Sequence, residues 1–99
     1  MPGKHKITFA VSAVQDLEAI RTWYADKQIP EVGERLLGEI LSAAQRLTDF
    51  PESGRIVPEF GMASLREIIH PPFRIVYRLD KRGVRIVRVW RSERTLRMP

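Results

Sequence analysis

Residues 65–94 read LREIIHPPFRIVYRLDKRGVRIVRVWRSER, and this stretch decides the fold. β-Branched and aromatic residues are dense in it: Ile68, Ile69, Phe73, Ile75, Val76, Tyr77, Val84, Ile86, Val87, Val89 and Trp90. Such residues fit a pleated, half-buried surface. Breakers fall only at Pro71-Pro72 and at Asp80-Lys81-Arg82-Gly83, the latter a short polar loop ending in Gly that suits a hairpin. The stretch therefore predicts three consecutive strands. In the middle one Phe73, Ile75, Tyr77 and Leu79 alternate with Arg74, Val76 and Arg78. Since successive side chains of a strand point to opposite faces, one face asks for a core and the other carries arginine around an apolar middle.

Upstream, His5–Ala10 is a short strand candidate. Ser12, with Gln15 three positions on, reads as the start of a capping box. A first helix is predicted from about Ala13 to Asp26, with Ala13, Leu17, Ile20 and Tyr24 on its apolar stripe and Asp16 and Glu18 in its first turn. Pro30 suits the first position of a second helix reaching about Asp49. Its stripe is Leu36, Leu37, Ile40, Leu41, Ala44 and Leu47, and Gly38 is placed to allow close approach of the first helix. Phe50–Ser64, punctuated by Pro51, Gly54, Pro58 and Gly61, reads as loop, and Ser92–Pro99 as a tail disordered in the isolated chain. The expected order is β-α-α-β-β-β: one α+β domain over residues 1–99, a helical hairpin packed on a mostly antiparallel sheet.

The 99 residues carry a net charge of +5, unevenly divided. Residues 65–99 hold ten basic and three acidic side chains, 10 − 3 = +7; residues 1–64 hold seven and nine, 7 − 9 = −2. The positive charge belongs to the sheet and tail, and nine of its ten cations are Arg, the residue suited to bidentate phosphate and carboxylate contacts. The surface candidates are Arg66, Arg74, Arg78, Arg88, Arg91 and Arg94. By alternation Arg66 and His70 share a face, and Glu67 turns to the core side.

Several chemistries are disfavoured. There is no Cys, and His5 and His70 lie far apart, so neither a disulfide nor a metal site is expected. No Gly-rich phosphate loop or nucleophile triad stands out, and no cofactor is expected. No stretch approaches the ~18 apolar residues of a membrane span, so a cytoplasmic protein without a membrane is the expectation. Guanidinium groups hold anions but cannot readily serve as bases, since their pKa lies above ~12. Tyr77 falls on the core face and His70 at a strand end, so the sheet is better equipped to bind anions than to cleave them.

Asp16-Leu17-Glu18-Ala19-Ile20, Phe50-Pro51-Glu52-Ser53-Gly54-Arg55, Leu65-Arg66-Glu67-Ile68, Phe73-Arg74-Ile75-Val76-Tyr77-Arg78 and Val87-Arg88-Val89-Trp90-Arg91-Ser92-Glu93-Arg94, in this order and spacing, resemble the RelE/ParE toxin superfamily of bacterial type II toxin–antitoxin systems, closest to its ParE branch. The resemblance covers about residues 7–94. It implies a small toxin of a plasmid-stabilisation system, causing growth arrest, held inactive by a cognate antitoxin that lays an extended, acidic segment over it. The ParE branch implies inhibition of DNA gyrase by binding. The RelE branch implies a ribosome-dependent mRNA interferase, a metal-independent endoribonuclease, with Arg74, Arg91 and His70 as its catalytic candidates here. Departures weigh toward gyrase: Leu65 and Glu67 stand where that branch carries lysines, Ser92 where it carries an arginine, and Met98 near its tyrosine. A non-toxic nucleic-acid-binding module is the remaining alternative.

Overall fold

The computed structural model describes residues 5–92; Arg94 and the tail beyond Ser92 lie outside the described residues. The elements are β1 (Lys6–Phe9), α1 (Val11–Asp26), α2 (Pro30–Gln45) followed by a 3-10 turn (Arg46–Thr48), β2 (Arg55–Ile56), β3 (Leu65–His70), β4 (Phe73–Asp80) and β5 (Gly83–Arg91). They form an α+β fold with one sheet of order β1-β5-β4-β3-β2, parallel between β1 and β5 and antiparallel elsewhere. The expected order holds, with one strand added. β2 lies inside the segment read as loop; it is two residues long and leaves no period in the sequence.

The helical hairpin covers one face of the sheet. Phe73, Ile75 and Tyr77 of β4 meet Val84, Ile86 and Val89 of β5 beneath Ala13, Ile20, Tyr24, Leu36, Leu37, Ile40, Ala44 and Leu47. Each large side chain so buried is worth about 1.5–3 kcal/mol relative to exposure. Two details of the helix stripes differ from expectation. Leu41 is exposed, while Leu36, Leu37, Ile40, Ala44 and Leu47 are buried as expected and Gly33 and Ala43 join them. The close approach of the helices is at Gly33, where an added Cβ would sit 2.9 Å from Tyr24 Cβ, whereas one on Gly38 would meet nothing within 4 Å.

The start of α1 also differs. Its N-cap is Ala10, without a side-chain cap, and no acidic residue lies in its first turn. Ser12 and Asp16 serve β5 instead. Because β1 ends at Phe9, opposite Ile86, the edge of β5 beyond that point has no strand beside it among the described residues. The Ser12 hydroxyl donates to the Val87 carbonyl at 2.7 Å, and Asp16 Oδ2 accepts the Val89 N–H at 2.8 Å. A long-range backbone partner has displaced the local cap, because buried strand groups must be satisfied.

A β-bulge re-aims the end of β5. Val76 faces Arg88 while Tyr77 faces Ile86, which leaves Val87 as the extra residue. Without it Arg88 and Trp90 would follow Val84 and Ile86 into the helix-facing core. With it Val89 takes that place. The other face of the sheet is not open either. Val57, Leu65 and Val76 are buried together there, with Phe60, Val87 and Trp90 packed against them. The segment after β2 folds across the sheet and supplies this second small core.

Candidate functional site

The two-residue Pro71-Pro72 turn sets His70 opposite Phe73, which puts Arg66 opposite Tyr77 and Glu67 opposite Val76. Arg66 and His70 therefore lie on the helix side at the sheet margin. Glu67 stands on the far face beside Arg74, not on the core side as alternation alone suggested. The turn length decides this, since a one-residue change in pairing moves every side chain to the other face.

Arg74 is consumed by this arrangement. Its side chain is 7% exposed. Nε donates to Glu67 Oε1 at 2.7 Å, and both terminal nitrogens donate to Glu59 at 3.1 Å. Glu67, fully buried, also accepts from Arg55 Nε at 2.6 Å. The result is a neutral network of two arginines and two carboxylates. The hydrogen bonds from Arg74 to Glu59, opposed by burial and reinforced by Glu67, hold its guanidinium above its usual pKa. A guanidinium held this way braces the segment after β2 to the sheet and has little left to offer a phosphate.

The other basic residues named from the sequence divide among several places. Arg66 donates to the Ala63 and Gly54 carbonyls, both at 3.0 Å, and pins the loop. His70 Nε2 lies 2.9 Å from Glu39 Oε1 and ties β3 to α2. That contact, with Arg35 beside it, holds the Glu39 carboxyl below its usual range. Arg88 is paired bidentately with Asp16, at 2.8 and 2.9 Å. Arg78 is exposed and faces Arg85, also exposed, directly across β4 and β5. Like charges opposite each other in a sheet are destabilising, so this pair places a local excess of positive charge at the surface. Lys81 and Arg82, in the adjoining turn, are exposed too. Arg85 was not singled out from the sequence, although its register with Arg78 follows from the Asp80–Gly83 turn.

Arg91 belongs to a cleft of about 200 Å³ between α1 and the end of β5, shared with Asp16, Trp23, Phe73, Arg88 and Trp90. Arg88 lies over the Trp90 ring at 4.3 Å, and Arg91 lies 5.6 Å from the Trp23 ring and 5.8 Å from that of Phe73. Lys27 approaches the same Trp23 at 5.3 Å. Flat apolar walls with cations above them suit a side chain that is both apolar and anionic, or an anion-bearing ring.

Among the described residues, proton-transfer machinery is not assembled around these cations. Tyr77 is fully buried; its hydroxyl donates to the Pro51 carbonyl at 2.7 Å and accepts the Gly54 N–H at 3.0 Å. Burial pushes its pKa up, against the pull of that N–H. His70 is engaged by Glu39, and Glu67 by two guanidiniums. Among the described residues no group of three His, Asp or Glu is placed to hold a metal, and no helix is long and apolar enough to cross a membrane.

Comparison with known proteins agrees with this fold. Residues 7–96 match the family described as the ParE toxin of type II toxin-antitoxin system, parDE. The chain is 32% identical over 90 residues to the Toxin RelE2 of Caulobacter vibrioides, covering 90% of this chain and 97% of that one. Among solved structures, the chromosomal ParDE system from P. aeruginosa superposes with a TM-score of 0.77 at 22% identity, over 92% of this chain and 99% of that one. The RelBE2 toxin–antitoxin complex from Mycobacterium tuberculosis gives a TM-score of 0.65 at 22% identity, over 90% and 99% of the two chains. At this identity the two structures show the shared fold.

Proposed function

The chain belongs to the ParE toxin family of type II toxin–antitoxin systems, and from that premise we propose that it stops its target, DNA gyrase, by binding rather than by cleavage, and that a cognate antitoxin holds it silent. One observation carries the reading. Arg74 corresponds to the arginine of the nuclease branch, yet here Glu59 and Glu67 take up its donors. A phosphate would have to displace two carboxylates to reach it. The exposed Arg78–Arg85 pair with Lys81 and Arg82, and the Trp23–Arg91 cleft, are the surfaces left to grip a protein target.

A second reading is an mRNA interferase acting on the ribosome, favoured by the 32% identity to the Caulobacter toxin of the RelE name. It relies on Arg91, which lines the cleft, and on His70 if Glu39 releases it. The decisive experiment sets the purified chain against gyrase supercoiling and against ribosome-bound mRNA in parallel. Loss of supercoiling with intact mRNA is expected, unchanged by Arg74→Lys in a folded variant. Cleavage of mRNA with gyrase unaffected overturns the proposal. Unimpeded growth on expression, with steeply salt-dependent binding of naked nucleic acid, points instead to a plain binding module.

A further inference from the structure

We propose that the tip of the β4–β5 hairpin is a seat for the phosphate backbone of duplex DNA, formed by Arg78 and Arg85 with Lys6, Lys81 and Arg82 around them. This rests on the gyrase reading above and narrows it: of the surfaces left for the target, this one takes the DNA that the enzyme holds.

The register brings these cations to one place. Thr8 faces Arg85, Arg85 faces Arg78 and Arg78 faces Leu65, one row across β1, β5, β4 and β3. Residues directly opposite share a face, and Leu65 lies in the smaller core, so the row is on the side away from the helices. Two residues before Thr8, Lys6 points to the same side and faces Gly83. Gly83 has a φ of +137°, and a Cβ there would sit 2.5 Å from the Lys6 carbonyl. Glycine is what lets β1 close on the hairpin and carry Lys6 into the strip. Lys81 and Arg82 continue it at the turn between Asp80 and Gly83.

The strip is not neutralised. Arg21, Arg35, Arg55, Arg74 and Arg88 each meet a carboxylate. Among the described residues Lys6, Arg78, Lys81, Arg82 and Arg85 meet none. Asp80 lies between them in the chain, and its Oδ1 accepts the Arg82 N–H at 2.8 Å, which fixes the turn. Arg85 gives one nitrogen to the Thr8 hydroxyl at 3.4 Å. A hollow of about 390 Å³ opens here, lined by Lys6, Thr8, Asp80, Arg82 and Arg85 among others. An anion bridging Arg78 and Arg85 removes their mutual repulsion.

The lining selects the anion. None of the exposed large apolar side chains, such as Trp23, Phe50 or Met62, belongs to the strip. A protein partner wants an apolar anchor at the centre of its interface. A single strand wants an aromatic platform for its bases. Duplex DNA needs neither, because counterion release on neutralising its phosphates supplies the affinity. Such a seat reads no sequence, since it offers cations to the backbone and nothing to base edges.

The test titrates the full chain into a duplex of about 20 base pairs, followed by fluorescence anisotropy over a salt series. In Arg78→Ala/Arg85→Ala the salt slope should fall by about 2, and binding should weaken by about tenfold or more. Arg78→Lys/Arg85→Lys should keep the slope, because charge carries it. An unchanged slope in the folded alanine variant overturns the site. So does an equal loss in Arg21→Ala, tighter binding of the single strand, or no duplex binding by the wild-type chain. The same proteins are then set against gyrase supercoiling, where the alanine variant should inhibit about tenfold less well. Equal inhibition overturns the proposal and leaves the gyrase reading standing. No inhibition by the wild-type chain overturns the gyrase reading, and the binding titration still decides the seat. Should the alanine variant fail to fold, Lys81→Glu/Arg82→Glu in the exposed turn carries the test on the same terms.

Discussion

Gly33 and Gly38 lie on the same helix and do opposite things. Gly33 lets α2 press against Tyr24, where a Cβ would come within 2.9 Å of another Cβ that cannot swing aside. Gly38 faces open space. Gly38→Ala should therefore stabilise the chain by about 1 kcal/mol and Gly33→Ala should destabilise it, both read from urea denaturation midpoints. Glu67 is the residue on which the far face turns. Glu67→Ala leaves Arg55 and Arg74 without their shared buried partner, and a loss of about 3–5 kcal/mol is expected in the same experiment. Tyr77→Phe strands the buried Gly54 N–H and should cost about 1–3 kcal/mol. If Tyr77→Phe proves neutral, the Pro51–Gly54 turn is not held by that hydroxyl.

At the scale of elements, α1 and β5 are joined by polar side chains as well as by the core. Asp16 alone receives two guanidinium hydrogen bonds and a backbone N–H. Asp16→Ala should cost about 2–3 kcal/mol and loosen the Trp23–Arg91 cleft, visible as a shift in tryptophan fluorescence. The link between β3 and α2 is a titrating one. The Glu39 carboxyl is held below its ordinary value by His70 and then Arg35. Its contribution is thus complete above the ordinary carboxylate range and is lost as pH falls through the lowered folded value. A plot of Tm against pH should fall less steeply below about pH 5 in Glu39→Gln than in the wild type, given unfolded carboxylates titrating near ~4.3. Identical slopes would dismiss the link.

At the scale of the whole molecule, the described residues bury a modest core on one face of the sheet and a smaller one on the other. Folding at this size buries roughly 65% of the surface of the unfolded chain, so a partner that binds only the folded state matters. At a free antitoxin concentration of 100 Kd the gain should be about 2.7 kcal/mol, measured as a concentration-dependent rise in Tm. A Tm that ignores the antitoxin would contradict an exclusive preference for the folded toxin.

Much of this was legible in the residues themselves. The alternation of Phe73, Ile75 and Tyr77, the breaks at Pro71-Pro72 and Gly83, and Pro30 at the head of α2 are local signals, and local signals specify period, turns and hence the α+β order. The order of the motifs likewise placed the chain in its superfamily. What only the tertiary structure decided is where those elements aim their polar side chains. The turn before β4 put Glu67 beside Arg74. The bulge at Val87 kept Arg88 and Trp90 out of the main core. The early end of β1 drew Ser12 and Asp16 away from capping α1. Each of these depends on a partner far along the chain, 75 residues away for Ser12 and Val87. A periodicity cannot register such a partner, because a hydrogen bond between distant segments is set by their register after packing and not by either segment alone.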